Sequence, residues 1–400
     1  MNRTSDRRRR SPRPRGRSGL LATHAPTFAG NEWRYVRECL ETGWVSSAGP
    51  FVTRFEDAVA AYIGARHAVA TVNGSAALHV ALQIVGVQPG DEVLLPDLTF
   101  IAPFSAVRYC GASPVLLDVE RRSWQLDADQ LAAFLAEECV VRGGRCLNRR
   151  TGRRVRAVVP VHLLGLACEI DRIVAIARRH RLAVVEDAAQ AMGVRYRGRH
   201  VGTFGDVGIV SFNGNKIVTA GGGGALLTDN AARAARARRL TTHARRDDRP
   251  DYIHAEVGYN YRLSNLQAAV GLAQMEQLDA FIARQRRIAA AYQRGFASLA
   301  GVEPMPLTPY TDATYWLYTI QLSEPTRREP VLRALSAQGI GARALWSPLH
   351  RQPPARGCRR YRLRNAPRLF ARSISLPSSA DLTIAEVRRC VSAVAAALAG

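Results

Sequence analysis

From about residue 30 the sequence alternates short runs of valine, isoleucine and leucine with longer segments of helical apolar spacing. "HAVATV", "DEVLLP", "SPVLLDV", "RAVVPVHLLG", "LAVVEDAA", "GDVGIVSF" and "GALLTDN" read as strands, because a sheet buried on both faces demands near-continuous aliphatic runs. "FVTRFEDAVAAYIG", "NGSAALHVALQIVG", "FIAPFSAVRYCG" and "IDRIVAIARRH" read as the intervening helices. Repeated strand–helix–strand units predict an α/β fold, a parallel or mixed sheet covered by helices on both faces. The character changes beyond "SNLQAAVGLAQMEQLDAFIARQRRIAAAYQRGF", which reads as one long amphipathic helix. "YWLYTIQL", "EPVLRALSAQGI", "RALWSPLH" and "TIAEVRRCVSAVAAALAG" then predict a smaller α+β domain. The expected division is a basic arm over 1–20, a large α/β domain over 21–275 and a small C-terminal domain over 276–400.

A hydrophobic fraction of 47% with 22% charged residues is enough to bury a large core. No run of about 18 apolar residues occurs, so no membrane-spanning helix is expected, and the arginine-led N-terminus lacks an apolar signal core. Seven cysteines, at 39, 110, 139, 146, 168, 358 and 390, form no CxxC pair and no zinc-like spacing. That pattern predicts reduced thiols in a cytoplasmic protein without a metal site. The net charge of +23 raises the question of nucleic acid. Part of it sits in "MNRTSDRRRRSPRPRGRSGL", where eight Arg oppose one Asp. An Arg/Pro/Ser/Gly segment of this kind cannot bury a core and is expected to be disordered. Its deletion should leave activity intact, which turnover of the truncated protein checks. The remaining charge is dispersed without the aromatic interleaving of a nucleic-acid platform, and it suits an anionic small substrate such as a nucleotide diphosphate.

Ligands of α/β enzymes gather at the carboxyl ends of strands, and several features fall there. "VNGSAALHVAL" opens a helix after a strand, so the amides near Gly74 and Ser75 and the Ser75 hydroxyl suit a phosphate. "PDLTF" offers Phe100 as a flat surface, "VVEDAAQA" ends a strand with Asp187 and Gln190, and "SFNGNKIVTAGGGG" carries Ser211 and Lys216. Each has a bland reading alone: a helix cap, a core phenylalanine, a loop aspartate, a surface lysine beside a glycine turn. Together they supply a phosphate cradle, an aromatic ring, a carboxylate and an amine, the parts that hold pyridoxal 5'-phosphate (PLP). Among 56 Lys plus Arg, nearly all Arg, Lys216 stands out because a lysine amine can lose its proton and attack a carbonyl. A P-loop fails, since Ile217 follows Lys216, and the glycines at 221–224 precede a strand rather than open a helix.

These segments resemble the DegT/DnrJ/StrS-type sugar aminotransferases, a branch of the fold-type I PLP-dependent transferases. "EDAAQAMGVRYRGRHVGTFGDVGIVSFNGNKIVTAGGGGALLTDN" and "GYNYRLSNLQAAVGLAQMEQLD" carry the likeness most specifically. "GNEWRYVRECLETGWVSS" and "RALWSPLH" are similar to the branch acting on UDP-4-keto-6-deoxy-N-acetylhexosamines in bacillosamine and legionaminic-acid pathways. The resemblance implies that Lys216 forms the Schiff base with PLP and Asp187 pairs with the pyridine nitrogen. It further implies that Gln190 meets the ring hydroxyl, Phe100 stacks on the ring, and Gly74, Ser75 and Ser211 hold the phosphate. Asn260 of "GYNYR" would reach the phosphate of a neighbouring subunit, making a homodimer with composite sites. Trp44, Ser46, His162, Trp346 and His350 would lie toward the sugar, and glutamate would donate the amino group. Ser75 stands where threonine is commoner, Leu164 where an aromatic is frequent, and Ser347 where a lysine is common; a related dehydrating group has histidine in place of Lys216. Alternatives are a 3-keto, dTDP- or GDP-linked sugar, a cyclitol ketone, or a basic nucleic-acid-binding or regulatory protein retaining the fold.

Overall fold

The computed structural model describes residues 20–246 and 251–399, so the basic arm apart from Leu20 lies outside the described residues. The aliphatic runs form β1 (His67–Thr71), β2 (Glu92–Pro96), β3 (Ser113–Leu117), β4 (Val155–Val158), β5 (Ala183–Asp187), β6 (Val207–Ser211) and β7 (Gly224–Thr228), joined by β8 (Arg359–Tyr361). They build an eight-stranded sheet in the order β1-β7-β6-β5-β4-β2-β3-β8. β7 is antiparallel to β1 and β6, and every other neighbouring pair is parallel. Side chains alternate between the two faces, as the pleat requires. Val93 and Leu95 of β2 join one apolar cluster with Leu78 and Leu82 of the helix α1 (Gly74–Ile84), while Leu94 joins the cluster on the opposite face. This is the mixed, mostly parallel α/β sheet expected.

A second sheet holds Val302–Glu303, Thr319–Leu322, Ser373–Ser375 and Arg343–Ala344 in that spatial order, all antiparallel. The chain between 264 and 296 departs from the reading as one amphipathic helix. It forms α2 (Asn265–Met275) and α3 (Leu278–Phe296). α2 is buried on most faces and packs against the helices Glu32–Thr42 and Pro50–Ile63, so its surface has no solvent stripe to continue into α3. At the break, the Gln277 amide is tied to Glu32 and to the Ala273 carbonyl.

Residues 21–27 act as a strap across the molecule. Leu21 pairs with the Gly339–Gly341 segment, and the Thr23 carbonyl accepts from Ser378 N. Six residues on from Leu21, the Thr27 carbonyl accepts from Gln274 of α2. Among the described residues, no helix is long and apolar enough to cross a membrane.

Candidate active site

The first turn of α1 forms because Asn73 is extended and its side chain accepts from Ala76 N at 2.8 Å. Gly74 and Ser75 then occupy a turn whose amides have no intrahelical acceptors, a natural seat for an anion. Ser211, at the end of β6, closes against this turn: a Cβ on Gly74 would lie 3.1 Å from Ser211 Cβ and 3.4 Å from its Oγ. β7 presses in from the other side. A Cβ on Gly224 would stand 2.7 Å from Gly74 N, so only glycine fits there. Gly221 (φ +77°) and Gly223 (φ +119°) make the tight return that brings Gly224 so close. The cradle of amides and hydroxyls matches a phosphate ester.

Lys216 leaves the end of β6 on a turn closed by Lys216 N to Asn213 O and Ala220 N to Phe212 O, both 2.9 Å. Its Nζ lies 3.8 Å from the centre of the Trp316 ring. Trp316 is itself fixed, donating from Nε1 to the Asn215 carbonyl at 2.6 Å and stacking on Trp346. Burial lowers the Lys216 pKa to about 8, against the opposing pull of Asp187. Asp187, at the end of neighbouring β5, is buried, and burial raises its pKa against the Ala189 amide and Lys216. One carboxylate oxygen accepts from Ala189 N at 2.9 Å; among the described residues no hydrogen bond reaches the other. Gln190 accepts from Leu164 N at 2.9 Å, which leaves its amide NH2 for a ligand. Phe100 is 50% exposed, so its ring is not core packing. Asp187 and Lys216 are thus a buried carboxylate and a buried amine at neighbouring strand ends, close enough for each to shift the other's pKa, with the free amide of Gln190 three residues beyond Asp187. These residues fit PLP.

The residues expected toward the sugar divide. His162 is not presented to a substrate. It has no exposed surface; its Nδ1 accepts from Cys168 N at 3.1 Å and its Nε2 meets Glu186 at 3.0 Å, so both nitrogens are used. It stands behind Asp187, whose carbonyl accepts from His162 N. Trp44 and Ser46 have exposed side chains, with their carbonyls held by Asn265. Trp346 stacks beside the lysine's aromatic support, and His350 is bonded to buried Asp97. Asn260 is exposed on the single chain. Three further residues had no recognisable signal in the sequence. Trp316 supports Lys216, and Glu186 anchors His162. His24, from the strap, has its pKa pushed down to about 3 by burial and by Lys216.

The chain is 40% identical to the GDP-perosamine synthase of Caulobacter vibrioides over 94% of its own length and 97% of that protein. It is 35% identical to the GDP-perosamine synthase of Escherichia coli O157:H7, covering 83% of this chain and 86% of that one. The crystal structure of DesI with its TDP-sugar product superposes with a TM-score of 0.84 at 32% identity, over 95% of this chain and 93% of DesI. The profile of the DegT/DnrJ/EryC1/StrS aminotransferase family matches residues 26–395. The chain therefore belongs to the DegT/DnrJ/EryC1/StrS family and is a PLP-dependent sugar-nucleotide aminotransferase.

Proposed function

We propose that the chain moves the amino group of glutamate to the keto carbon of a GDP-linked 4-keto-sugar, with Lys216 as the residue that carries the proton. The observation behind this reading is the pairing of Lys216, its pKa lowered to about 8, with buried Asp187 at adjacent strand ends. PLP supplies a reactive aldehyde and a ring able to take up the electron pair left when a C–H bond beside nitrogen is broken. The Asp187 carboxylate keeps a proton on the ring nitrogen. Lys216 Nζ, its pKa lowered to about 8, would carry the proton between the carbon bearing nitrogen and the cofactor. Gln190 would meet the ring hydroxyl, Phe100 would cover one face, and Gly74, Ser75 and Ser211 would seat the phosphate. Glutamate leaves as 2-oxoglutarate, and the keto-sugar leaves as an amine.

We further infer a homodimer in which Asn260 reaches the partner's phosphate seat. Trp33 (85% exposed), Val257 (84%) and Tyr252 (76%) are the kind of apolar surface that a second copy would cover. GDP is favoured over UDP because two relatives covered over most of their length are named GDP-perosamine synthases. The UDP-linked N-acetyl keto-sugar is the second reading, carried by "GNEWRYVRECLETGWVSS" and "RALWSPLH". The test is incubation of PLP-loaded protein with glutamate and GDP-, UDP- and dTDP-linked keto-sugars, with mass detection of the amines. The highest kcat/KM should fall on a GDP-linked 4-keto-sugar; preference for UDP, or for a 3-keto-sugar, would overturn that choice.

A further inference from the structure

Arg156 is the second residue of β4, and its Nη2 donates to the Val85 carbonyl. Its Nε is buried and has no hydrogen-bond partner among the described residues. A buried N–H without an acceptor is costly, and more so in a charged group. Burial and the charges of Arg154 and Arg233 lower the Arg156 pKa, while Asp91 and Asp206 pull the other way.

Arg156 does not stand alone. With Arg178, Arg181 and Arg233 it lines a cleft of about 330 Å³, within the range of roughly 300–1,000 Å³ that small-ligand sites occupy. Arg178 belongs to the helix Ile170–Arg179, Arg181 to the turn after it, and Arg233 to the helix Ala231–Thr241. Among the described residues, Asp206 is the only acid in the lining, and it is already engaged. Its Oδ1 meets Arg233 Nη2 and its Oδ2 accepts from Val184 N, both at 2.9 Å. Among the described residues, no carboxylate lies within ion-pair distance of Arg156, Arg178 or Arg181. Arginines at a helix C-terminus often serve its last carbonyls, but neither the Arg178 nor the Arg181 side chain makes such a bond. Three guanidinium charges therefore share the cleft uncompensated.

The cleft lies away from the catalytic site. It is found where β4, β5 and β6 begin, whereas Asp187 and Ser211 end β5 and β6. Strands of this length, at about 3.3 Å per residue, put roughly 15 Å between their two ends.

We propose that this cleft binds a diphosphate-bearing anion, with the guanidinium groups of Arg156, Arg178 and Arg181 on its oxygens, at a site separate from the one that seats PLP. Guanidinium groups present paired N–H donors that match phosphate oxygens. A terminal phosphate carries about −1.5 to −2 at neutral pH, and a second phosphate joined to it brings the anion's charge up to that of the three arginines. The ligand does not depend on which keto-sugar the catalytic site aminates. The competing role is a solvated basic face that attracts any anion.

Inorganic pyrophosphate, on the PLP-loaded full chain, is the probe. An ionic strength of about 0.15 M screens exposed charges more than about 8 Å apart. Phenylglyoxal labels accessible arginine side chains, and peptide mass mapping reads each position separately, so pyrophosphate held at the catalytic site does not confuse the result. Pyrophosphate should protect Arg178 and Arg181. It should not protect Arg142 and Arg145, exposed on the hairpin Cys139–Asn148. By calorimetry, Arg178→Ala/Arg181→Ala should weaken this uptake at least roughly tenfold, as loss of charged hydrogen bonds demands. The charge-matched Arg142→Ala/Arg145→Ala should stay within about twofold of wild type, since exposed charges elsewhere contribute little. Both double variants alter exposed side chains only, and their thermal midpoints should match wild type. Equal protection of all four positions, or equal weakening in both doubles, overturns the proposal in favour of the solvated basic face. Wild-type protein in which about 1 mM pyrophosphate protects neither Arg178 nor Arg181 overturns it outright.

Discussion

Replacing Lys216 with alanine should lower turnover roughly 10²–10⁴-fold, the usual range for a positioned acid–base group, while leaving the fold intact. Lys216→Arg should lose as much, because a guanidinium keeps the charge but does not release its proton. If Lys216→Arg keeps more than about a tenth of wild-type turnover, the amine is not the proton carrier. The sequence allows a second readout that is independent of activity. Lys216 is the only lysine among 400 residues, the other 55 of the 56 Lys plus Arg being arginine. Borohydride reduction of the PLP-loaded enzyme should therefore fix the cofactor's mass to one peptide, the one containing Lys216.

The pH dependence follows from the same amine. Burial lowers its pKa to about 8, so the neutral, reactive form builds up as pH rises, reaches half near 8 and is nearly complete about one unit higher. Capture of added PLP by the cofactor-free protein should accelerate with pH with a midpoint near 8. A midpoint near the ordinary lysine value of about 10.4 would show that the site does not tune the amine.

What the sequence disclosed, it disclosed through local chemistry. The strands are legible because two-sided burial leaves aliphatic runs, and the candidate site residues near them sit within a few positions of a strand end. Lys216, Asp187, Gln190 and Ser211 follow from that placement. A lone lysine in an arginine-rich chain adds a compositional signal, since random surface charge here is arginine. Phe100 illustrates the limit of residue-type reasoning: phenylalanine favours cores, yet this one is half exposed. Contacts made by folding were not legible. Trp316 lies 100 residues beyond Lys216, and Asp97 meets His350 across 253 positions, so neither spacing carries a period. The break between α2 and α3 depends on burial of α2 on most faces, which a two-sided helical pattern does not announce. His162 misled for a related reason. Its neighbourhood to Asp187 is real, but the ring points into the protein, toward Glu186.

Glu186 is a residue whose removal should cost the fold heavily. It is fully buried beside Asp187 and accepts four hydrogen bonds: from His162 Nε2 at 3.0 Å, Gly202 N at 2.8 Å, and Phe204 N and Gly205 N at 2.6 Å each. Nδ1 of His162 accepts the Cys168 amide proton, which assigns the hydrogen to Nε2 and makes the ring a donor to Glu186. Burial alone would raise the Glu186 pKa; the His162 ring and the Gly205 and Gly202 amides outweigh it and hold it below the ordinary carboxylate value. Glu186→Ala strands four buried donors at once and should destabilise the protein by about 3–5 kcal/mol, or roughly 10 °C in thermal midpoint. Glu186→Gln keeps the volume but turns an NH2 toward donors, so it should recover only part of the loss. The sign of the pH effect is set by the lowered pKa. The unfolded chain binds this proton near pH 4.3 and the folded one only below that. The carboxylate's contribution is thus complete above about 4.3 and fades as pH falls through the folded value. Denaturant titrations of wild type and Glu186→Gln at neutral and acid pH should converge on acidification, because protonation does to wild type what the amide does permanently. A stability gap that stays constant down to pH 3 would show that the four bonds are not what Glu186 contributes. Because β5 runs straight from Glu186 into Asp187, loss of the anchor should also loosen PLP, visible as weaker cofactor retention on gel filtration before any loss of fold.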